Sequence, residues 1–125
     1  MRRPTKSGLK RKLDKAFSQL VRSRGKCEWC GAKNDTLQTA HIFSRKYMSV
    51  RYEPLNVLCL CASCHFKAHA QPINFTLFVQ KYLGAEKFAE LQQKAQKIKK
   101  WTLQDLQTLL ESLNDQVRQD IGRIR

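Results

Sequence analysis

Apolar residues at helical spacing dominate the beginning of the chain. They recur at intervals that one face of a helix collects: Leu9, Leu13, Phe17, Leu20 and Val21. The pattern predicts an amphipathic helix over roughly 8–23. The opposite face of this helix is basic and consists of Lys10, Arg11, Lys15 and Arg22. We expect Gly25 to end the helix and residues 1–7 to form a mobile basic arm.

The middle of the chain changes to short apolar segments that are typical of strands. Residues 37–43 alternate loosely between apolar and polar side chains, which makes them the best strand candidate, with His41 near the end. Pro54 excludes a helix at its own position. Residues 56–60 are predicted to form a turn that leads into a second short strand, and residues 61–70 favour a helix.

Three further helices are predicted in the remainder, over 74–83, over 85–98 and from 102 onward. The last one begins with Thr102 and Asp105, which match a capping box with Asp in place of the usual Glu. Its apolar residues follow a heptad spacing: Leu103, Leu106, Leu110, Leu113, Val117 and Ile124. This stripe either forms the seam of a homodimer or packs on the chain's own helices.

Together these patterns predict an α+β fold that is mostly helical. The chain has 125 residues, a length that suits one compact domain. We expect three segments within it: a basic arm and amphipathic helix at 1–26, a metal-stabilised core at 27–70 and a helical region at 71–125. The middle segment is small, and domains below about 70 residues usually need a metal or another staple.

Charge indicates the kind of partner. Lys and Arg outnumber Asp and Glu by 24 to 10, which gives a net charge of +14. Residues 1–26 hold ten basic residues and a single acid, Asp14. This excess favours nucleic acid as a partner, and a solvated helix face without a partner is the alternative. No apolar run approaches about 18 residues and no secretion signal is evident, so we expect no membrane partner and a reducing cytoplasm.

Four of the five cysteines form two Cys-x2-Cys pairs, Cys27 with Cys30 and Cys61 with Cys64. In a reducing compartment a doubled pair is more often a metal site than two disulfides. Structural zinc takes four tetrahedral ligands, and thiolates suit it, so we predict a structural Zn²⁺ site. Cys59 lies in an apolar run and is expected to be a small buried residue. Chelation is expected to unfold the protein, because apo sites of this kind are often unfolded.

All three histidines lie between or just after the cysteine pairs: His41, His65 and His69. Together with Asn56 they resemble the signature of the HNH endonucleases, which belong to the His-Me-finger or ββα-metal nucleases. As in that signature, His65 follows Asn56 by nine residues and His69 follows His65 by four. The match covers about 27–70. A looser match over about 12–83 resembles the phage NinG/Rap-like recombination nucleases. The resemblance implies a zinc-bound ββα-metal core.

Phosphodiester hydrolysis suits these residue types. A histidine titrates near neutrality and can take the proton from a water molecule, a role that we assign to His41. The resemblance implies that the side-chain carbonyl of Asn56 holds the other ring nitrogen, and that His65 and His69 bind a catalytic divalent ion. The two histidines are four residues apart and so share one helix face. Imidazole ligands suit transition ions, so Mn²⁺ or another divalent transition ion is expected to support activity as well as Mg²⁺.

One position departs from the family pattern. Many HNH enzymes have Asp or His immediately before the base, where this chain has Ala40.

The resemblance implies cleavage of DNA to 5′-phosphate and 3′-hydroxyl ends, on branched or nicked recombination intermediates, in the host cytoplasm if the protein is phage-encoded. A non-catalytic zinc-knuckle DNA-binding protein with a degenerate HNH site is the alternative. A third reading is an adaptor that binds proteins through its C-terminal helices.

Basic residues near the predicted site are expected to contact DNA. Arg45, Lys46 and Arg51 lie between His41 and Asn56 and should border the scissile phosphate. The basic face of the first helix would add phosphate contacts through Lys10, Arg11, Lys15 and Arg22. Tyr47 and Tyr52 are interleaved with these residues and either stack on bases or pack inside the protein. Phosphate contacts predict little sequence preference and a steep dependence on salt.

Overall fold

The computed structural model describes the backbone of residues 3–124 and the side chains of residues 3–120. In this part of the chain there are five α-helices and one two-stranded sheet, so the prediction of a mostly helical α+β fold is confirmed. The elements in chain order are α1 (Lys6–Arg22), β1 (Gln38–His41), a 3-10 helix (Pro54–Asn56), β2 (Val57–Leu60), α2 (Ala62–Ala70), α3 (Pro72–Leu83), α4 (Ala85–Gln96) and α5 (Leu103–Ile124). The expectation that Pro54 excludes a helix at its own position is wrong, because proline is accepted in the first turn, where its missing amide hydrogen is not needed.

Helix α1 begins earlier than its apolar pattern predicts. The Thr5 hydroxyl accepts a hydrogen bond of 3.0 Å from the Gly8 amide, and this N-cap starts the helix at Lys6. The predicted arm is therefore shorter than residues 1–7, and its first two residues lie outside the described part. At the other end, Gly25 adopts a φ of 84°, in the left-handed region that glycine accepts, and turns the chain towards Cys27.

The two strands pair antiparallel, with Gln38 opposite Leu60 and His41 opposite Val57. All four residues of β2 are buried, because successive side chains point to opposite faces of a strand and both faces are covered. Val57 and Cys59 join a core with α1 and α5, which we call the helical core. Leu58 and Leu60 join a second core with the paired cysteines, α2 and α3, which we call the cysteine core.

Helix α5 packs against α1 along its apolar stripe. Leu106 and Leu113 are buried in the helical core beside Leu13 and Phe17 of α1. This part of the stripe therefore packs on the chain's own helices, the second of the two alternatives, and the homodimer stays a prediction. The side chain of Ile124 lies outside the described part. The capping box is confirmed, since the Asp105 amide donates to the Thr102 hydroxyl (3.0 Å) and the Thr102 amide donates to the Asp105 carboxylate (3.1 Å).

Candidate functional site

The four paired cysteines form one cluster. Their sulfur atoms all lie within 4.8 Å of one another, and no other group of three or more His, Cys, Asp or Glu in the described chain meets that distance. Cys27 and Cys30 lie on a tight turn in which Gly31 has a φ of 81°, while Cys61 and Cys64 lie at the start of α2. Tetrahedral zinc with metal–sulfur bonds of about 2.3 Å separates its sulfurs by about 3.8 Å. The Cys30 and Cys61 sulfurs are 3.8 Å apart, so this donor set fits zinc.

Backbone dipoles around the cluster favour a thiolate. Burial alone would raise the pKa of Cys27, but hydrogen bonds from the amides of Cys30, Cys61 and Trp29 outweigh it and lower the pKa to about 6. Burial raises the pKa of Cys64, as do hydrogen bonds from its thiol to the neighbouring sulfurs. A metal ion would replace these shared protons, because zinc binds the deprotonated sulfur.

The fifth cysteine lies outside the cluster. Cys59 is fully buried in the helical core, on the other face of β2. Burial raises its pKa, as does the negative charge of Glu28. A neutral thiol in an apolar environment behaves as a small hydrophobic residue, which confirms the prediction for Cys59.

Glu28 connects the cysteine turn to the rest of the fold. Its carboxylate accepts hydrogen bonds from the Cys59 amide at 2.7 Å and from Arg24 at 2.7 Å. The Tyr82 hydroxyl on α3 also donates to it. Burial alone would raise the pKa of Glu28, but these partners outweigh it and lower the pKa. Glu28 therefore has a structural role, which its position in the sequence did not reveal.

The three histidines line one cleft. This cleft has a volume of about 780 Å³ and lies between α1, β1, α2 and the start of α3. His41 enters it from the end of β1, and His65 and His69 enter it from α2. Arg22, Arg45 and Asp14 also line it. Residues as far apart in the sequence as Asp14 and His69 therefore line the same cleft.

Burial favours the neutral form of the His41 ring, and a hydrogen bond orients it. Its Nε2 lies 3.1 Å from the carbonyl oxygen of Arg51 and donates to it. This bond leaves Nδ1 as the acceptor, and Nδ1 has no hydrogen-bond partner among the described residues. Burial lowers the pKa of His41, and the charges of Arg45 and Arg51 add to this effect. The Arg51 carbonyl and Asp14 oppose it. The net direction favours the unprotonated ring at neutral pH, as a general base requires.

The expected bond from Asn56 to His41 is not formed. Asn56 is fully buried, and its Oδ1 accepts a hydrogen bond from the Phe43 amide at 2.8 Å. Its Nδ2 donates to the carbonyls of Phe43 at 2.9 Å and Val50 at 3.0 Å. Asn56 thus clamps the two ends of residues 43–50, and the main-chain carbonyl of Arg51 takes over the orientation of His41. Sequence spacing could not distinguish a side-chain carbonyl from a main-chain carbonyl.

His65 and His69 lie side by side on α2. Their ring centroids are 5.0 Å apart, and a ring coordinated at about 2.1 Å has its centroid roughly 3.2 Å from the metal, so this separation is compatible with two ligands of one ion. His65 Nδ1 donates to the Gln38 Oε1 at 2.6 Å, which fixes its tautomer and leaves Nε2 free to coordinate. Burial lowers the pKa of His65, as does the neighbouring His69. Within the described chain no third histidine, thiol or carboxylate completes a set with them.

The basic residues divide into two groups. Arg22 and Arg45 line the cleft, and the Arg45 side chain is 61% exposed. The other predicted DNA contacts do not line it: Lys10, Arg11, Lys15, Lys46 and Arg51. The first three belong to the outer face of α1, and Lys46 lies over the Tyr47 ring at 5.2 Å.

Arg51 has a different partner from the one we expected. Its guanidinium donates to both carboxylate oxygens of Asp14, at 3.1 and 2.6 Å, so it is tied to α1 and does not border the cleft. Arg45 reaches the same carboxylate at 3.4 Å. Asp14 is therefore a site residue that our sequence reasoning left without a role. The signal was present, because Asp14 is the only acid among residues 1–26.

One of the two interleaved tyrosines is a core residue. Tyr52 is buried and packs edge-on against Phe17 and Trp101, so it cannot stack on bases. Tyr47 is 39% exposed and stays available for stacking on a base.

No helix in the described chain is both long and apolar enough to cross a membrane.

Comparison with known proteins gives no relative, since no family model, no curated protein and no solved structure matches this chain significantly. The resemblance to HNH endonucleases therefore depends on the residues and geometry described above.

Proposed function

We propose that this protein is a zinc-stabilised, metal-dependent HNH-type endonuclease that hydrolyses DNA phosphodiester bonds. The observation that carries the proposal is the cleft, which is lined both by His41, whose Nδ1 has no hydrogen-bond partner among the described residues, and by two further imidazoles on α2. The order of elements supports it. His41 ends the first strand of an antiparallel pair, and His65 and His69 lie on the helix that follows the second strand, as the ββα resemblance implies.

In the proposed mechanism His41 Nδ1 takes a proton from water. The water oxygen attacks phosphorus, the bond from phosphorus to the 3′ oxygen breaks, and the 3′ oxygen takes a proton from solvent water, so the products are a 5′-phosphate and a 3′-hydroxyl. The Arg51 carbonyl holds the ring and stabilises the imidazolium that forms. His65 and His69 would hold a divalent ion, Mg²⁺, Mn²⁺ or another transition ion, which when bound polarises the phosphate and stabilises the leaving oxygen.

The charges around the cleft support a phosphate substrate. Arg22 and Arg45 line the cleft next to the histidines, and Lys10, Arg11 and Lys15 extend the positive surface along α1. Such contacts hold DNA by its backbone, so we propose little sequence preference. The preference for branched or nicked recombination intermediates, and the phage setting in a host cytoplasm, rest on the NinG/Rap resemblance alone.

A non-catalytic DNA-binding protein is the second candidate, and Ala40 is the observation in its favour. Ala40 lines the cleft beside His41, where many HNH enzymes place a further metal ligand. Its methyl group has no atom that can coordinate a metal ion, so the protein would supply two ligands, and water and phosphate would supply the others. Weak metal affinity is the expected consequence.

The test is cleavage of supercoiled plasmid and of a synthetic four-way junction, with Mg²⁺ and then Mn²⁺. We expect the wild type to cut and His41→Ala to lose at least about a hundredfold in rate, the usual contribution of a general base. Zinc content and circular dichroism must match the wild type, so that lost folding is not mistaken for lost chemistry. DNA binding without cutting under any divalent ion would favour the second candidate. Equal rates on plasmid and junction would remove the preference for branched DNA.

A further inference from the structure

The segment that joins α4 to α5 presents an exposed apolar side chain between lysines. Residues 97–100 read Lys-Ile-Lys-Lys, with no acid among them. Ile98 is 90% exposed, more than any other large hydrophobic residue in the described chain. Single exposed apolar residues are common on protein surfaces. This one differs because positive charge flanks it on both sides and because its segment is held in place.

Both ends of the segment are anchored to residues 48–53. The Trp101 indole donates to the Met48 carbonyl at 2.9 Å and packs edge-on against Tyr52 at 5.7 Å. At the other end, the Ser49 hydroxyl donates to the Lys94 carbonyl at 2.7 Å. Lys94 also pairs with Glu53 at 2.7 Å, and Glu90 is the one acid among the residues that line the groove with Lys97 and Ile98. The exposed residues 97–100 therefore project from a fixed base.

The same loop connects this segment to the cleft. Arg45 lines the cleft, and Ser49 lines a separate groove with Ile98 and Lys97. Four residues of extended chain span at most about 14 Å, so Arg45 and Ser49 lie within that distance of each other. A nucleic acid strand spaces its phosphates by roughly 3.4 Å along the helix axis. A duplex with a phosphate in the cleft therefore covers the distance from Arg45 to Ser49 in about four nucleotides.

We propose that residues 97–100 form a second DNA contact, in which the lysines bind backbone phosphates and Ile98 contacts base faces where stacking is broken. This inference rests on the proposed function and names its substrate: DNA with a nick, bulge or branch. Apolar side chains on basic proteins use this chemistry when they enter between base steps. In a continuous duplex a base step must first be unstacked, which costs a few kcal/mol, so Ile98 would favour interrupted DNA, where the step is already open.

The test compares binding of the full, zinc-loaded chain to a nicked duplex and to a continuous duplex of the same sequence, without a catalytic ion. We expect Ile98→Ser to weaken binding to the nicked duplex about tenfold, the lower end of what burial of an isoleucine is worth, and to leave the continuous duplex unchanged. A 2-aminopurine base beside the nick should brighten on binding to the wild type and not to the variant. Ile73→Ser is the control, since Ile73 is 75% exposed on α3.

The lysines have their own readout. Changing Lys97, Lys99 and Lys100 to Gln should weaken both substrates alike and reduce the slope of log affinity against log salt by about 0.9 for each phosphate that the variant no longer neutralises. Changing Lys33, Lys81 and Lys87 to Gln is the control for total charge. If the segment variants bind like their controls while the wild type binds and cuts DNA, the inference is overturned and the proposed function stands. If the wild type self-associates and Ile98→Ser does not, Ile98 contacts protein, and the inference of a DNA contact is overturned. A wild type that neither binds nor cuts DNA overturns both.

Discussion

At the scale of single residues, the protonation of His41 depends on charges that approach it from two elements. Arg45 and Arg51 lower its pKa together with burial, while Asp14 on α1 acts in the opposite direction. Because Arg51 is bound to Asp14, Arg45 is the charge that can be removed with least disturbance. In the proposed mechanism Arg45 would therefore contact phosphate and also add to the effect of burial, which favours the unprotonated ring.

This arrangement predicts how activity depends on pH. In the proposed mechanism the unprotonated ring is the active form, so activity should rise with pH through a value below the ordinary histidine pKa of 6.5. Removing the positive charge in Arg45→Gln should raise the pKa and move this rise to higher pH. NMR titration of the His41 ring measures the same shift without catalysis. An unchanged titration would show that Arg45 does not act on His41, and Lys46→Gln, outside the cleft, is the control.

Two tyrosine hydroxyls differ in their hydrogen-bond partners and should therefore contribute differently to the free energy of unfolding. The Tyr52 hydroxyl is buried and has no hydrogen-bond partner among the described residues, and burial raises its pKa to about 12. The Tyr82 hydroxyl donates to the carboxylate of Glu28. Because an unsatisfied buried hydroxyl is unfavourable, Tyr52→Phe should increase the free energy of unfolding by about 1 kcal/mol.

Tyr82→Phe is the opposite case and should lower that free energy by about 1 kcal/mol, since it removes a bond to a charged acceptor on a partly exposed side chain. Urea denaturation of both variants measures the two effects. If Tyr52→Phe is destabilising, its hydroxyl has a partner, and an ordered water would be the first to look for.

Residue chemistry was easier to predict than residue partners. The grouping of the four thiols followed from their Cys-x2-Cys spacing, because zinc imposes the same short-range geometry on any chain. The partners of Asn56, Arg51 and Asp14 did not follow, because they depend on how residues 43–53 fold back between α1 and β2. Nothing in the local sequence states that Asp14 and Arg51, 37 positions apart, meet in one ion pair.

At the scale of elements, helices followed closely from apolar periodicity, with their ends displaced by caps. Helix α1 begins at Lys6 because of Thr5, and α4 ends at Gln96 rather than 98. Strand β1 is shorter than the alternation over 37–43, since the chain after His41 leaves the sheet. The Ile42 amide still reaches the Asn56 carbonyl at 2.7 Å, but the Phe43 amide is taken by the Asn56 side chain.

Asn56 is therefore the residue that shapes the loop. Replacing it with alanine removes three hydrogen bonds from a fully buried position. At about 1 kcal/mol each, the free energy of unfolding should fall by about 3 kcal/mol. Hydrogen exchange of the Phe43 amide, which Asn56 protects, should accelerate by more than this loss of global stability explains. Asn74→Ala, on the surface of α3, is the control and should stay within about 0.5 kcal/mol of the wild type. Equal exchange in both variants would contradict the clamp.

At the scale of the whole molecule, β2 joins two cores that otherwise use different elements. The helical core takes Val57 and Cys59 from one face of the strand, and the cysteine core takes Leu58 and Leu60 from the other. The second cysteine pair of the sulfur cluster begins one residue beyond β2, at Cys61. Structural zinc contributes roughly 10–16 kcal/mol in small domains, which equals or exceeds the total stability of about 5–15 kcal/mol that such domains have. Loss of the metal should therefore release β2, and with it both cores.

The two tryptophans of the chain can test this coupling separately. Trp29 stacks on Phe78 at 5.0 Å in the cysteine core, and Trp101 packs against Tyr52 in the helical core. In Trp101→Phe the remaining Trp29 reports on the cysteine core, and in Trp29→Phe the remaining Trp101 reports on the helical core. We expect a zinc chelator to change both emissions over the same concentration range, together with the loss of helical circular dichroism. Cys30→Ser should lose zinc and behave like the chelated protein, while Cys59→Ala, outside the cluster, should keep one zinc per chain. If Trp29 responds first and Trp101 keeps its native emission, α1 and α5 fold without the metal and β2 does not transmit its loss.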